Sequence, residues 1–378
     1  MKSLAIIATH PIQYYVPIYR ELVKRGKMDV QVVYHEIPDA QRQGVQFGVP
    51  FEWDVDLRSG YPSWVGTEGV KEFDLGVLSG RWSAVLVHGW HHAIYRHAIW
   101  RAWKSSLPVM VRGDSHLKTP RPWWKRFLKY PIYRALLPRF SACLAVGEGN
   151  ADYYRHYGVA GKKIFRSPHC VDNDRFKLKS MESLPKRNEM RRSWGVEEGA
   201  FVFLFAGRLV ASKRIGDLFQ ALARIRKNCP KACAVVVGEG PLRGTLESQA
   251  RELGVRVVFT GFQNQTQIVS SYVSADCLVL PSDGNETWGL VVNEALACGC
   301  PALVSDDTGC AQDMIKANVN GSVYPCGMIG KMSEAMSLIA EGKTCFSRNI
   351  LWDDVLQKHS CEAAAAGIEQ ALEGVRKP

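Results

Sequence analysis

The chain lacks any apolar run long enough to cross a bilayer. A spanning helix needs about 18 or more consecutive apolar residues, and no stretch of the 378 residues supplies them. The first ten residues hold one Lys and an apolar run of only Leu4 to Ala8, too short for the apolar region of a leader and suited to a first buried strand. No cysteine precedes Cys143, no CxxC pair occurs, and the total of eleven is odd. That argues against a disulfide framework or a zinc ribbon, so the thiols read as reduced and mostly buried, in a cytoplasmic protein. Acid is scarce in one place. Between Leu75 and Gly147 a single acidic residue, Asp114, stands against twelve Lys/Arg, whereas the rest of the chain balances at 36 basic and 36 acidic side chains. The net charge of +11 therefore belongs to one segment. This excludes the spread charge of a histone-like protein and implies a local anionic partner. What is present, 46% hydrophobic and 22% charged residues, suits a folded chain and not a disordered one. At roughly 150 residues per domain the length predicts two domains.

Short β-branched runs alternate with longer amphipathic stretches. Strands are expected at Leu4–Ala8, Val30–Tyr34, Ala84–Val87, Val109–Val111 and Ala142–Val146, then at Phe201–Ala206, Ala234–Val237, Val257–Thr260, Cys277–Leu280 and Ala302–Ser305. Helices are expected between them, among others at Gln13–Arg25, His91–Lys104, Ile215–Lys227, Leu290–Cys298 and Met328–Glu341. Such alternation implies parallel βαβ units, and two series imply an α/β protein of two doubly wound domains. The polar stretch Lys177–Arg192 reads as a junction, having few apolar residues to bury. Ligands bind beyond the carboxyl ends of strands in such domains, so functional residues are expected just after the strands.

In the second half, Gly207-Arg208-Leu209 and then Lys213 follow a strand, putting two cations where a diphosphate would be held. Gly238-Glu-Gly-Pro241 follows the next. Pro281 ends another, and a polar loop carrying Glu286 leads to Gly289, which opens a helix whose free amides favour an anion. Glu286 and Glu294, eight residues apart, suit sugar hydroxyls better than phosphate. Taken in order, Phe-Ala-Gly-Arg-Leu with Lys213, Gly-Glu-Gly-Pro, Phe259-Thr-Gly261-Phe262, and Glu286 to Glu294 enclosing Trp-Gly-Leu-Val resemble the donor domain of retaining GT-B glycosyltransferases, family four, the group 1 type. The resemblance covers about residues 142–325, with Trp288 where the family usually has Phe. It implies two Rossmann-like domains facing a central cleft: residues 1–170 for the acceptor, 171–350 for the nucleotide sugar, and a C-terminal helical segment, 351–378, crossing back to the first. It places Arg208 and Lys213 on the diphosphate, Glu286 on the donor sugar, amides near Trp288, Gly289 and Leu290 on phosphate or sugar, Glu294 on the ribose, and Gly261 and Phe262 near the base. Pro168 to Phe176 resembles the interdomain segment, with His169-Cys170 in place of Asn-Gly. The donor would be a UDP- or GDP-linked sugar, with no metal cofactor.

In the first half the family's Gly-rich loop is replaced by Thr9-His10-Pro11-Ile12-Gln13-Tyr14-Tyr15, so His10 and Gln13 would supply side-chain donors in its place. This opening resembles a branch of bacterial surface-polysaccharide transferases. Arg112-Gly-Asp114-Ser-His116 follows a strand, and either Asp114 or His116 is the candidate for the reaction centre. His88, His91 and His92 fall within five residues but lack the Cys or carboxylate company of a metal site. Residues 118–139 combine Trp123, Trp124, Phe127 and Leu128 with Lys and Arg on the intervening face, a cationic amphipathic helix as far as Pro131. That helix suits an anionic membrane surface. No nucleic-acid motif accompanies it. The reading is a glycosyltransferase acting on a lipid-linked or other saccharide acceptor, cytoplasmic and peripheral to the inner membrane face. A sugar-nucleotide epimerase of the same fold and a non-catalytic sugar-nucleotide-binding protein are the alternatives.

Overall fold

Runs of Val, Ile, Leu and Ala form parallel strands because both faces of each sheet are covered, which leaves no polar side for alternation. The computed structural model describes residues 1–45, 48–66, 82–344, 346 and 354–375. Leu75 to Arg81 of the basic segment, the expected helical residues 351–353, and 376–378 lie outside the described residues. The chain divides into two units. One comprises Met1–Pro38, Asp56–Val171 and His359–Pro378; the other comprises Asp39–Val55 and Asp172–Lys358.

The first unit holds strands β1 (Lys2–Ala8), β2 (Met28–Tyr34), β3 (Ser63–Val65), β4 (Ala84–Val87), β5 (Val109–Gly113), β6 (Ala142–Ala145) and β7 (Ile164–Arg166). They form one sheet in the order 3-2-1-4-5-6-7, and neighbouring strands run parallel. Alternate residues feed two cores. Val85, Val87, Val109 and Val111 pack with Ile94, Ile99 and Tyr154 on one face. Leu86, Met110, Leu4 and Ile6 pack with Tyr19, Leu22, Ile368 and Leu372 on the other. The last helix, Cys361–Gly374, lies against the Val16–Arg25 helix and is tied to it by Arg25, whose Nε and Nη2 donate to Glu369 at 2.7 and 2.8 Å.

The second unit holds β8 (Val202–Ala206), β9 (Cys233–Val237), β10 (Val257–Gly261), β11 (Cys277–Leu280), β12 (Ala302–Ser305) and β13 (Gly321–Tyr324), in the order 10-9-8-11-12-13, again parallel. Each sheet reverses direction of strand addition once, between β1 and β4 and between β8 and β11. Those reversals are where a doubly wound sheet opens a crevice for ligands.

Three expectations are corrected. Lys177–Arg192 is not a junction. It spans the end of the Asn173–Ser183 helix and most of the Arg187–Ser193 helix. The first helix buries Phe176, and charge docks the second in place of apolar burial: Arg187 donates to the Ala275 carbonyl at 2.9 Å and Arg191 to that of Ser274 at 2.9 Å, and both pair with Asp276. The basic helix does not stop at Pro131 but runs from Trp123 to Leu136. Tyr133 and Leu136 pack on the core, and Trp90 donates to the Tyr133 hydroxyl at 3.0 Å, which outweighs the one hydrogen bond that proline removes. Third, Asp39–Val55 groups with the second unit and not with residues 1–170. Phe51 packs against Phe262 (ring centroids 4.4 Å apart), Asn264 donates to the Glu52 carbonyl (2.6 Å) and the Thr266 amide to Asp54 (3.1 Å). The strands missed in the sequence, β3, β7 and β13, have three or four residues each, and β3 and β7 are only partly buried edge strands. Among the described residues no helix is long and apolar enough to cross a membrane. Seven of the ten described cysteines are buried and all ten are free thiols.

Candidate functional site

In the second unit, the loops after β8 and β11 flank the reversal of the sheet. The Asp283 amide donates to the Ser212 carbonyl at 2.9 Å and so joins them. Lys213 closes a short 3-10 turn, Ala211–Lys213, and its ammonium pairs with Glu286. Both side chains are about 15% exposed, and Ser282 donates a second hydrogen bond to Glu286 at 3.3 Å. Arg208 is half-buried on the same β8 loop and makes no ion pair among the described residues. Gly289 (φ 98°) caps the Leu290–Ala297 helix, whose first amides, those of Leu290 and Val291, have no partner within the helix. Two cations and a helix N-terminus thus sit beside one carboxylate at the reversal. Such a set can hold a diphosphate and, next to it, accept from hydroxyls.

The neighbouring Gly-Glu-Gly turn has a steric reason. A Cβ on Gly238 would lie 1.9 Å from the Gly207 carbonyl oxygen, so only glycine lets the β9 loop lie against the β8 loop. Gly261 ends β10 and its carbonyl accepts from the Gly238 amide at 2.8 Å, which puts Phe262 beside the same loops. Glu294 is buried, at 2% exposure. It accepts from the Tyr272 hydroxyl at 2.6 Å and from Gln265 at 3.2 Å, and Arg175 in turn holds Gln265 at 2.8 Å. It is a fixed acceptor. Trp288 is buried too, its indole donating to Asn293 at 2.9 Å and its carbonyl accepting from the Cys310 amide at 2.9 Å, so it braces the start of the helix.

In the first unit the loops after β1 and β4 meet at the corresponding reversal. Tyr15 stacks on His88 with centroids 4.1 Å apart, and the Tyr19 hydroxyl bonds His88 Nε2 at 2.7 Å. Burial, with the Arg112 charge adding to it, lowers the His88 pKa to about 3, so the ring is neutral. His10 Nδ1 bonds Thr9 Oγ1 at 3.0 Å. Its pKa is also lowered, chiefly by burial, so it too enters neutral solution as a neutral imidazole. His169 is packed inside the unit, its pKa pushed well down by burial and then by Arg112. Asp114 exerts its charge on Tyr15, Tyr154 and His91. His116 instead lines a pocket with Leu117, Phe127 and Tyr153, and its Nδ1 accepts from the Lys118 amide at 3.2 Å.

One residue escaped the sequence reading as a structural centre. Arg112 is 2% exposed, donates through Nη2 to the Pro168 carbonyl (2.8 Å) and through Nε to Ser167 (3.1 Å to Oγ), and lies 5.5 Å from the Tyr15 ring. It fastens residues 167–168 just before the chain leaves the unit at Val171.

Residues 186–349 match the family model described as glycosyl transferases group 1. An uncharacterized glycosyltransferase of Methanocaldococcus jannaschii is 40% identical over 146 residues, 38% of this chain and 37% of the relative. The lipopolysaccharide 1,6-galactosyltransferase of Salmonella typhimurium is 29% identical over 155 residues, 40% of this chain and 42% of the relative. The chain thus spans about two fifths of the length of these curated relatives. Among solved structures, HepE of Anabaena in complex with UDP and glucose aligns over 99% of this chain and 100% of its own, with a TM-score of 0.71 at 16% identity. The fold is GT-B.

Proposed function

From the group 1 glycosyltransferase domain at residues 186–349 and the GT-B fold, we propose that the protein is a retaining glycosyltransferase. It takes a sugar from a UDP- or GDP-linked donor and passes it to a hydroxyl of a lipid-linked saccharide, in the assembly of a cell-surface polysaccharide or glycolipid. The observation that carries this reading is the Lys213–Glu286 pair at the reversal of the second sheet, beside Arg208 and the Leu290–Ala297 helix N-terminus. In the reaction the bond from the anomeric carbon to the diphosphate breaks and negative charge grows on the leaving oxygens. Lys213, Arg208 and the helix amides are already aimed at that place, so little reorganisation is needed. Glu286 accepts from the sugar hydroxyls and orients the ring. Glu294 addresses the ribose, and Phe262 and Gly261 border the base. On the acceptor side Asp114 is favoured over His116, since its charge acts on Tyr15 and His91 in the loops after β1 and β4. The neutral His10 stands ready as donor or acceptor. The UDP and glucose bound to HepE and the lipopolysaccharide acceptor in the Salmonella relative's name support the donor and acceptor classes. The exposed basic helix supports a peripheral, cytoplasmic place on the inner membrane face.

Glu286→Ala tests the reading. Transfer from UDP- or GDP-sugars is expected to fall about 100-fold or more while the melting temperature stays within a few degrees. Unchanged transfer overturns the assignment. So does conversion of donor alone into an isomerised nucleotide sugar.

A further inference from the structure

The first unit contains a pocket of about 660 Å³ beside the Trp123–Leu136 helix, distinct from the loops after β1 and β4. Its walls combine Leu117, Phe127 and Tyr130 with Arg121, Arg126 and Lys129. Among the described residues none of these three cations has an ion-pair partner, and Asp114 is the one acid between Leu75 and Gly147. Lys129 sits in a cage of ring faces, 4.3 Å from the Tyr133 centroid, 5.1 Å from Tyr153 and 5.8 Å from Tyr157. Ring quadrupoles hold a cation in place but do not neutralise it. Burial, and after it the charge of Arg121, depresses the Lys129 pKa to about 8. The half-buried Lys129 and the exposed Arg121 repel one another across the open pocket, and a bound anion relieves them. A small hydrated anion leaves the apolar wall unused. A phosphate carrying a hydrocarbon chain satisfies both halves. His91 feels the charges of Lys129, Arg121 and Asp114, so the pocket cations and the candidate acceptor residue act on one histidine.

We propose that this pocket binds the phosphate and the first carbons of an anionic amphiphile, the phosphate on Arg121, Arg126 and Lys129 and the chain along Leu117, Phe127 and Tyr130. The inference rests on the reading of a lipid-linked acceptor and gives that acceptor its anchoring group. Titration calorimetry with dodecyl phosphate, below its micelle concentration, tests it without any turnover. The alkyl phosphate should bind, whereas inorganic phosphate and dodecyl maltoside should each bind at least about tenfold more weakly. Arg121→Gln/Lys129→Gln should weaken dodecyl phosphate about tenfold or more and leave UDP binding unchanged. Trp123 and Trp124 do not line the pocket, so Trp123→Ala/Trp124→Ala should keep dodecyl phosphate affinity within about twofold. Equal binding of inorganic phosphate, equal binding of dodecyl maltoside, or full affinity in the Gln double variant overturns the pocket. Those results leave the donor site untouched, and loss of transfer in Glu286→Ala leaves the pocket untouched.

Discussion

Lys213 and Glu286 lie 73 residues apart in the chain yet form one ion pair at about 15% exposure. An ammonium has three donors, so Lys213 can keep Glu286 and still reach a phosphate oxygen. Lys213→Met removes that donor and leaves Glu286 as an unbalanced carboxylate facing the diphosphate. UDP affinity should drop about 10- to 100-fold by calorimetry, and the thermal stabilisation by saturating UDP should shrink with it. Undiminished UDP binding places the diphosphate elsewhere. The sequence offered Lys213 and Glu286 a shared site only through the family resemblance, and the structure brings their side chains into one ion pair. Arg112 follows an expected strand and reads as one more loop charge. Its burial depends on carbonyls 55 and 56 residues further on and on the Tyr15 ring, and no local pattern encodes partners at that distance. The choice between Asp114 and His116 had the same difficulty. Two positions apart, Asp114 acts by charge on Tyr15 while His116 lines the pocket beside the Trp123–Leu136 helix.

The Cys361–Gly374 helix shows what an element adds. Its small residues, Ala364, Ala365, Gly367 and Ala371, are buried, and Ile368 and Leu372 complete the core over β6 and β7. Glu369 is the polar lock, accepting from Arg25 at 2.7 Å and from Lys27 at 3.2 Å. Its pKa is lowered first by the Arg25 hydrogen bond. A carboxylate with a lowered folded pKa contributes stability in full above its ordinary value of 4.5 and loses it as pH falls through the folded value. Glu369→Gln should therefore cost about 1–2 kcal/mol in urea unfolding at pH 7, discounted because Arg25 remains a quarter exposed. The difference from wild type should shrink as pH falls below 4.5 and close once pH lies below the lowered folded value. A pH-independent difference would mean that shape, not charge, fastens the helix. The helical C-terminal segment was expected from the resemblance, and the ten strands with continuous apolar runs were readable in advance. The Arg187–Ser193 helix was not, because its docking uses Arg to carbonyl bonds that leave no apolar stripe.

Across the whole molecule the charge is uneven, and the structure shows what accompanies it. The Trp123–Leu136 helix has no buried residue. Trp123 is 79% exposed, Phe127 73% and Ile132 62%, beside Lys125, Arg126, Lys129 and Arg134. A soluble surface gains nothing from so many exposed apolar side chains, but an anionic bilayer rewards both parts, the rings in the interface and the cations at about 1 kcal/mol each. This much was readable from the sequence as an amphipathic period. Its exposure was not, because the same period serves a helix that turns its apolar face to a core. Vesicles of anionic lipid should therefore bind the protein, and neutral vesicles should bind it weakly. Trp123→Ala/Trp124→Ala should reduce flotation with anionic vesicles about tenfold or more. Salt near 1 M, where the screening length is about 3 Å, should remove most of the remainder. Raising the pH from 7 to 9 should weaken binding further, since Lys129, with a pKa of about 8, loses its proton over that interval while the arginines keep theirs. Binding that ignores lipid charge, salt and the two tryptophans would assign the exposed face to something other than a membrane.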